Sequence, residues 1–256
     1  MRLVLALLIL LAPPAMAQTA LGQSGLSLSG STTIMSDYLF RGISQTRSRP
    51  ALQGVAELSH ADSGLYIAAF VSNAKFLGYD ATAEVDLYGG WRVSAAGFDV
   101  DVSAIWYHYP GFTRRGGQPR LDYAEGVVRV TRAIGPVTVS TVLAGSPNFF
   151  STSGTGIYLE GGVDWRTGVA GVTLGARYGR QWIQRNANFG APDYGWWSLT
   201  VGREFELPRL GTIAASIGYY QTSVARADCV PVGGPRGNMG QDICGARALA
   251  SLAFRF

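Results

Sequence analysis

The sequence predicts an all-β fold: a transmembrane, antiparallel, up-and-down β-barrel of about twelve strands with both termini periplasmic. Three observations predict it. From Gly25 to Phe256, segments of about ten residues alternate apolar with polar or small side chains, the period of a strand with two unlike faces. The connections between these segments are alternately short and long. A secretory leader stands in front, and an aromatic residue closes the last strand.

The leader occupies residues 1–17. It has an early charge at Arg2, an apolar run over 3–11 and a small-residue cleavage site at Ala15-Met16-Ala17. Pro13, Pro14 and the short apolar core argue against a spanning helix, which needs roughly 20 apolar residues. The domain reading is a signal peptide over 1–17 followed by one outer-membrane barrel over 18–256.

Composition agrees with strands and turns: 34 glycines and 11% aromatics. The net charge is +4, and Lys75 is the only lysine, so the basic excess is arginine. No nucleic-acid motif accompanies it, and an exported protein meets lipopolysaccharide phosphate instead. Cys229 and Cys244 are the only cysteines; in an oxidising compartment they suggest one disulfide closing a loop, worth roughly 3 kcal/mol. No histidine or further cysteine lies near them to make a metal site.

Strands are expected over 26–40, 51–60, 65–73, 82–94, 98–109, 122–134, 137–146, 156–166, 172–184, 195–205, 212–223 and 247–256. The turns at 61–64, 95–97, 135–136, 167–171 and 206–211 are brief and carry Gly or Pro. The connections at 41–50, 74–81, 110–121, 147–155, 185–194 and 224–246 are longer. This is the periplasmic-versus-external asymmetry of outer-membrane barrels.

Parity assigns the faces. Ala248, Ala250, Leu252, Phe254 and Phe256 oppose Arg247, Ser251 and Arg255; Val85 and Leu87 oppose Glu84, Asp86 and Tyr88. A soluble sandwich shows the same alternation. Aromatic clusters near strand ends favour the barrel, because Tyr and Trp gather at membrane interfaces: Tyr38-Phe40, Trp106-Tyr107-Tyr109, Phe149-Phe150, Trp182, Trp196-Trp197 and Tyr219-Tyr220. The closing Phe254 and Phe256 resemble the signal read by the outer-membrane assembly machinery.

The run Ser36-Asp37-Tyr38-Leu39-Phe40-Arg41-Gly42-Ile43-Ser44-Gln45-Thr46, followed by Pro50-Ala51-Leu52-Gln53-Gly54, resembles the opening signature of the TorF-type porins, a proteobacterial family of unknown function. Residues 84–90 and 107–111 resemble its second and third blocks. The resemblance covers essentially the whole chain past the leader, with the cysteine-containing final loop least familiar. It implies an outer-membrane barrel with a pore role, and brings no substrate or catalytic residue.

The lumen-lining candidates are Glu84, Asp86, Asp99, Asp101, Glu125, Arg129, Glu160, Asp164 and Arg177. Charges lining a tube tune ion passage; the same groups can also pair and plug it. Twelve strands lie between the filled interior of about eight and the clear channel of about sixteen. Small inward residues (Gly175, Gly179, Ser103, Ser216, Gly218) favour open volume. Arg47, Arg49, Arg114, Arg115 and Arg120 mark basic external loops, suited to anionic solutes or to lipopolysaccharide phosphate.

An outer-membrane lipid hydrolase needs a serine activated by a histidine. Only His60 and His108 exist, without a G-x-S-x-G elbow; His108 reads better as an interface residue. No nucleotide, dinucleotide or metal-ligand spacing is present, so no cofactor is expected. The reading is a non-enzymatic porin passing small hydrophilic solutes, embedded among outer-membrane lipids and lipopolysaccharide. Its alternative is a non-conducting barrel whose loops bind lipopolysaccharide or a surface partner. Oligomeric state is left open.

Overall fold

A computed structural model of the chain describes residues 19–20, 25–76, 79–115, 117–229 and 242–256. The leader expected over 1–17 lies outside the described residues. Twelve strands form the wall: β1 Leu26–Met35, β2 Ala51–His60, β3 Leu65–Asn73, β4 Ala83–Ala95, β5 Phe98–His108 and β6 Tyr123–Ile134. The second half comprises β7 Val137–Ser146, β8 Gly156–Arg166, β9 Val172–Ile183, β10 Tyr194–Leu207, β11 Gly211–Thr222 and β12 Arg247–Arg255.

Each strand pairs antiparallel with its sequence neighbours, and β12 pairs with β1 through Ser251↔Met35 to Arg255↔Ser31. This last ladder closes the sheet, so the wall has no free edge to leave backbone groups unpaired. Phe256 extends the closure, exchanging both backbone hydrogen bonds with Gly30 at 3.0 Å. Thr19–Ala20 pairs briefly with Ser27 and Leu28 below that seam. Leu26 and Arg255 lie at the end of the barrel that carries the short turns.

Alternation along the wall separates two unlike surfaces. Outward positions carry exposed apolar side chains, such as Leu52 at 58%, Ile67 at 64%, Leu199 at 56% and Ile217 at 58%. Inward positions on the same strands carry buried polar groups, among them Glu57, Glu84, Glu125 and Glu160. A water-soluble sandwich puts its charges outside; this molecule does the reverse, as hydrocarbon surroundings require.

The first strand is the main departure from expectation. It stops at Met35, not near residue 40. Ser36 still bonds Ala250 through its N–H at 2.9 Å, and then the chain turns into the barrel. Leu39–Phe40 pairs with Ile43–Ser44 across the two-residue turn Arg41-Gly42. Both turn residues have positive φ, 49° and 82°, the left-handed pair of the tight turn that matches strand twist. The connection expected as an external loop at 41–50 therefore begins as an inward hairpin.

The aromatic clusters also need correction. Neighbouring residues on a strand face opposite ways, so the consecutive pairs Trp106-Tyr107, Trp196-Trp197 and Tyr219-Tyr220 are each split between lipid and lumen. Trp106, Trp197 and Tyr219 are exposed outside, whereas Tyr107, Tyr109, Trp196 and Tyr220 are buried inside. Tyr38 and Phe149 are buried too, so neither belongs to an interfacial girdle. Near the short turns, Trp91, Phe98, Trp165 and Phe205 supply the outer aromatics, with Arg132 over Phe98 and Arg203 over Phe205, both at 4.7 Å.

Cys229 and Cys244 are disulfide-bonded, which clamps the last long connection. The 230–241 part of that connection lies outside the described residues.

Candidate functional site

The hairpin at 39–44 determines what the lumen can do. It springs from between β1 and β2, and the opposite wall of a twelve-stranded ring is β7 and β8. Arg41 reaches that far side. Its guanidinium donates to both oxygens of Glu125 on β6, at 3.0 and 2.7 Å, and to Gln181 Oε1 on β9 at 2.6 Å. It lies 4.0 Å above the Tyr158 ring on β8 and 4.7 Å from Phe40. Burial is the largest influence and opposes the Arg41 charge, but Glu125 acting together with Tyr107, Tyr123 and Tyr158 offsets it and holds the guanidinium above its usual range.

Asp37 ties the base of the hairpin. Its carboxylate accepts from Ser44 Oγ at 2.5 Å, Thr46 Oγ1 at 2.8 Å and Arg247 Nη1 at 2.9 Å. Thr46 Oγ1 in turn accepts the Tyr38 N–H at 3.1 Å. Tyr38 donates its hydroxyl to Glu84, and burial, followed by the Glu84 and Asp86 charges, pushes its phenol well above the ordinary value. Ser44 N donates to Ile243 O at 2.9 Å, joining the hairpin to the disulfide-clamped connection. The Ser36–Thr46 signature is thus one structural unit, a bar across the tube.

Cavities lie on both sides of the bar. The outer one, about 40 Å³, is aromatic: Phe76, Tyr109, Tyr123, Phe149, Phe150, Phe189 and Tyr194 surround it, with Phe40 as floor. The inner one, also about 40 Å³, has Phe40 and Arg41 as roof and mixes Asp101, Ser103, Tyr107, Arg129 and Tyr158 with Ile105, Val127, Val142 and Ala144.

Most lumen candidates sit in charged clusters. Arg92 on β4 donates to Glu57 at 2.6 and 2.8 Å and to Asp101 at 2.9 Å, and lies 3.6 Å over Tyr66. Arg177 pairs with Asp164, and Arg255 with Glu204 at 2.5 Å. Glu84, Asp86, Glu125, Arg129, Glu160 and Asp164 are all buried on the inward face. Asp99 shares the parity of Asp101 but is exposed at the short-turn end, where it accepts from Ser94 Oγ at 2.5 Å.

Arg41, Glu57 and Arg92 were missed by sequence reasoning. Glu57 and Arg92 share inward parity with chosen residues and were legible; Arg41 carried no periodic signal. The inward residues Gly175, Gly179 and Gly218 do not leave open volume, whereas Ser103 lines the inner cavity. A Cβ on Gly179 would come 2.5 Å from Trp196 Nε1 and 2.7 Å from the Tyr158 hydroxyl. That glycine makes room for large neighbours.

Of the basic loop candidates, Arg49, Arg114, Arg115 and Arg120 are exposed, while Arg47 is half-buried beside the hairpin. Arg115 approaches Asp80 at 3.5 Å. The Thr113 N–H, donated at 2.8 Å, holds the Asp80 carboxyl below its usual range. Phe254 and Phe256 stack at 6.2 Å at the closing seam.

His60 Nδ1 lies 2.9 Å from Ser63 Oγ, an exposed contact within one short turn. His108 faces outward, stacked 5.0 Å from Trp106 and paired with Asp122 at 2.8 Å. His60 accepts the Ser63 N–H at 3.2 Å within its own turn, which commits the ring nitrogen nearest the Ser63 hydroxyl. Among the described residues no His, Cys, Asp and Glu group is suited to a metal ion.

Comparison with known proteins agrees with this geometry. Residues 19–234 match the model of the family described as a bacterial protein of unknown function, Gcw_chp. No curated protein matches the sequence. Among solved structures, the chain is similar to the KdgM porin at TM-score 0.52 and 9% identity, covering 89% of this chain and 99% of that one. It is similar to the NanC porin at 0.53 and 9%, covering 89% and 98%. A KdgM porin complex with disordered oligogalacturonate gives 0.52 at 8%, covering 90% and 98%. At these identities the likeness is one of fold.

Proposed function

The chain belongs to the Gcw_chp family of bacterial proteins of unknown function, and from that premise we propose that it is an outer-membrane, porin-type channel for small hydrophilic solutes, exported through a leader over 1–17. The finer kinship, with the TorF-type porins, rests on the Ser36–Thr46 signature. One observation carries the proposal: an apolar exterior surrounds a charged lumen that the Arg41 hairpin crosses. Passage is passive, since no nucleotide or cofactor motif accompanies the barrel, and no enzymatic step is assigned.

The inward carboxylates Asp37, Glu57, Glu84, Asp86, Asp101, Glu125, Glu160, Asp164 and Glu204 outnumber the arginines Arg41, Arg92, Arg129, Arg177, Arg247 and Arg255. Such a lumen favours cations over anions. The KdgM porin structure in complex with disordered oligogalacturonate holds an acidic sugar chain; the acidic excess here supports a different solute.

The test is planar-bilayer conductance of the purified protein, with reversal potentials in a salt gradient. Replacing Glu84 and Asp86 by Gln and Asn, together with Asp101→Asn, should weaken cation preference while the barrel still folds. An unchanged reversal potential would remove these residues from the selectivity assignment.

A second reading is favoured by the bar itself. If it never moves, the barrel conducts nothing, and the exposed Arg114, Arg115 and Arg120 serve lipopolysaccharide phosphate. Absence of conductance, with tight retention on lipopolysaccharide lost in an Arg114, Arg115 and Arg120 triple alanine variant, would establish it.

A further inference from the structure

One register row of the wall carries alternating charges. Arg92 on β4 faces Asp101 on β5; Asp101 faces Arg129 on β6; Arg129 faces Val142 on β7; and Val142 faces Glu160 on β8. The first two members are bonded. The alternation then fails at Val142, which puts an apolar side chain where the row would continue. On either side of the gap, Arg129 Nη1 and Glu160 Oε1 are buried and have no hydrogen-bond partner among the described residues. Arg129 is 8% exposed and Glu160 1%. A buried polar atom without a partner is costly, and here two such atoms of opposite charge flank Val142.

The cavity beneath the hairpin borders the Arg129 side of this gap, with Glu160 behind Tyr158. Arg129, Val142 and Tyr158 line it, and Tyr158 donates its hydroxyl to the other oxygen of Glu160. Its remaining cation, Arg41, is committed to Glu125 and Gln181, and its carboxylate, Asp101, to Tyr66 and Arg92. Arg129 is therefore the lining cation left with an open donor. A space of about 40 Å³ takes roughly three waters, or the charged end of a very small solute. Ile105, Val127 and Ala144 give it an aliphatic side.

We propose that the break in the charge row at Val142 is a binding site for a small zwitterion, with its carboxylate on Arg129, its ammonium on Glu160 and its short carbon body against Val142. A simple anion would leave Glu160 unanswered, and a simple cation would leave Arg129 so. A dipolar solute answers both and adds no net charge to an acidic lumen. The inference deepens the channel reading by naming its solute class, and its test can fail separately from that reading.

The experiment uses the refolded full-length barrel in detergent, with alanine as probe and propionate and ethylammonium as its single-charge analogues, followed by titration calorimetry. Alanine should bind, and each analogue should bind at least about tenfold more weakly, the loss of one charge-assisted contact. Arg129→Gln and Glu160→Gln should each weaken alanine by about tenfold, while Arg132→Gln on the outer rim leaves it unchanged. The analogue comparison needs no variant, so a misfolded substitution cannot shelter the proposal. Failure of alanine to bind, or equal binding of all three probes, overturns the site. Binding without bilayer conductance would keep the site and overturn the channel; conductance without binding would do the opposite.

Discussion

Arg41 and Glu125, 84 positions apart in sequence, meet across the width of the barrel in a two-pronged contact at 3.0 and 2.7 Å. The contact holds a non-glycine residue in left-handed backbone, φ 49°, a conformation disfavoured by about 1 kcal/mol or more. Removing one member of a buried pair generally costs about 3–5 kcal/mol, here confined to the hairpin because the wall ladders do not pass through it. Arg41→Ala should therefore leave the β-sheet intact and speed hydrogen exchange at the Tyr38, Ser44 and Gln45 amides, whose acceptors lie within or against the hairpin. Unaltered exchange at those three amides would show that the pair does not hold the bar.

Gly42 tests the fit of the same turn. Its φ is 82°, and an added Cβ would lie 2.7 Å from Thr222 Cγ2 and 2.9 Å from Trp196 Cβ. Gly97, at φ 79° in the β4–β5 turn, has nothing within 4 Å. Gly97→Ala should cost only the backbone strain, about 1 kcal/mol. Gly42→Ala should cost at least about 1 kcal/mol more, or expel the hairpin. Urea unfolding of the two variants in lipid vesicles gives the comparison; equal losses would mean that Gly42 is not closely packed.

Charge on the outer face should be penalised by depth. Leu159, inside β8 and 45% exposed, faces the proposed hydrocarbon. Leu159→Arg should cost about 2–4 kcal/mol in vesicles, and Ile134→Arg, at a strand end, about 0–1 kcal/mol. Equal small costs at both positions would place water, not lipid, against β8.

The disulfide should matter to the bar as well as to its own loop. Ile243, beside Cys244, accepts the Ser44 N–H. Cys229→Ser with Cys244→Ser should raise protease cleavage between those positions and accelerate Ser44 amide exchange, with the wall unaffected. Cleavage that rises without any change at Ser44 would uncouple the loop from the hairpin.

Much of this was legible in one dimension. Wall strands impose period 2 on long segments, and short Gly-containing turns separate them, so β2, β3, β7 and β8 fall where alternation puts them. The hairpin was not legible, because Asp37, Tyr38 and Phe40 keep the polar-in, apolar-out parity of β1 and only Ser36 and Leu39 break it. Nothing in periodicity says that the chain has left the wall; only the burial of Asp37 and Arg41 with distant partners says so. The Trp196-Trp197 pair taught a related lesson. Both aromatics fit a girdle by composition, yet adjacency alone sends one of them into the lumen, where Gly179 makes room for it.

The most direct test of the account replaces residues 37–46 by a short Gly-Ser link and compares single-channel currents with the unaltered protein under a salt gradient. A folded variant with larger currents and a cation-selective reversal potential is the predicted result. A variant that folds but stays insulating, or that conducts no more than the parent, would contradict a charged lumen barred by the Arg41 hairpin.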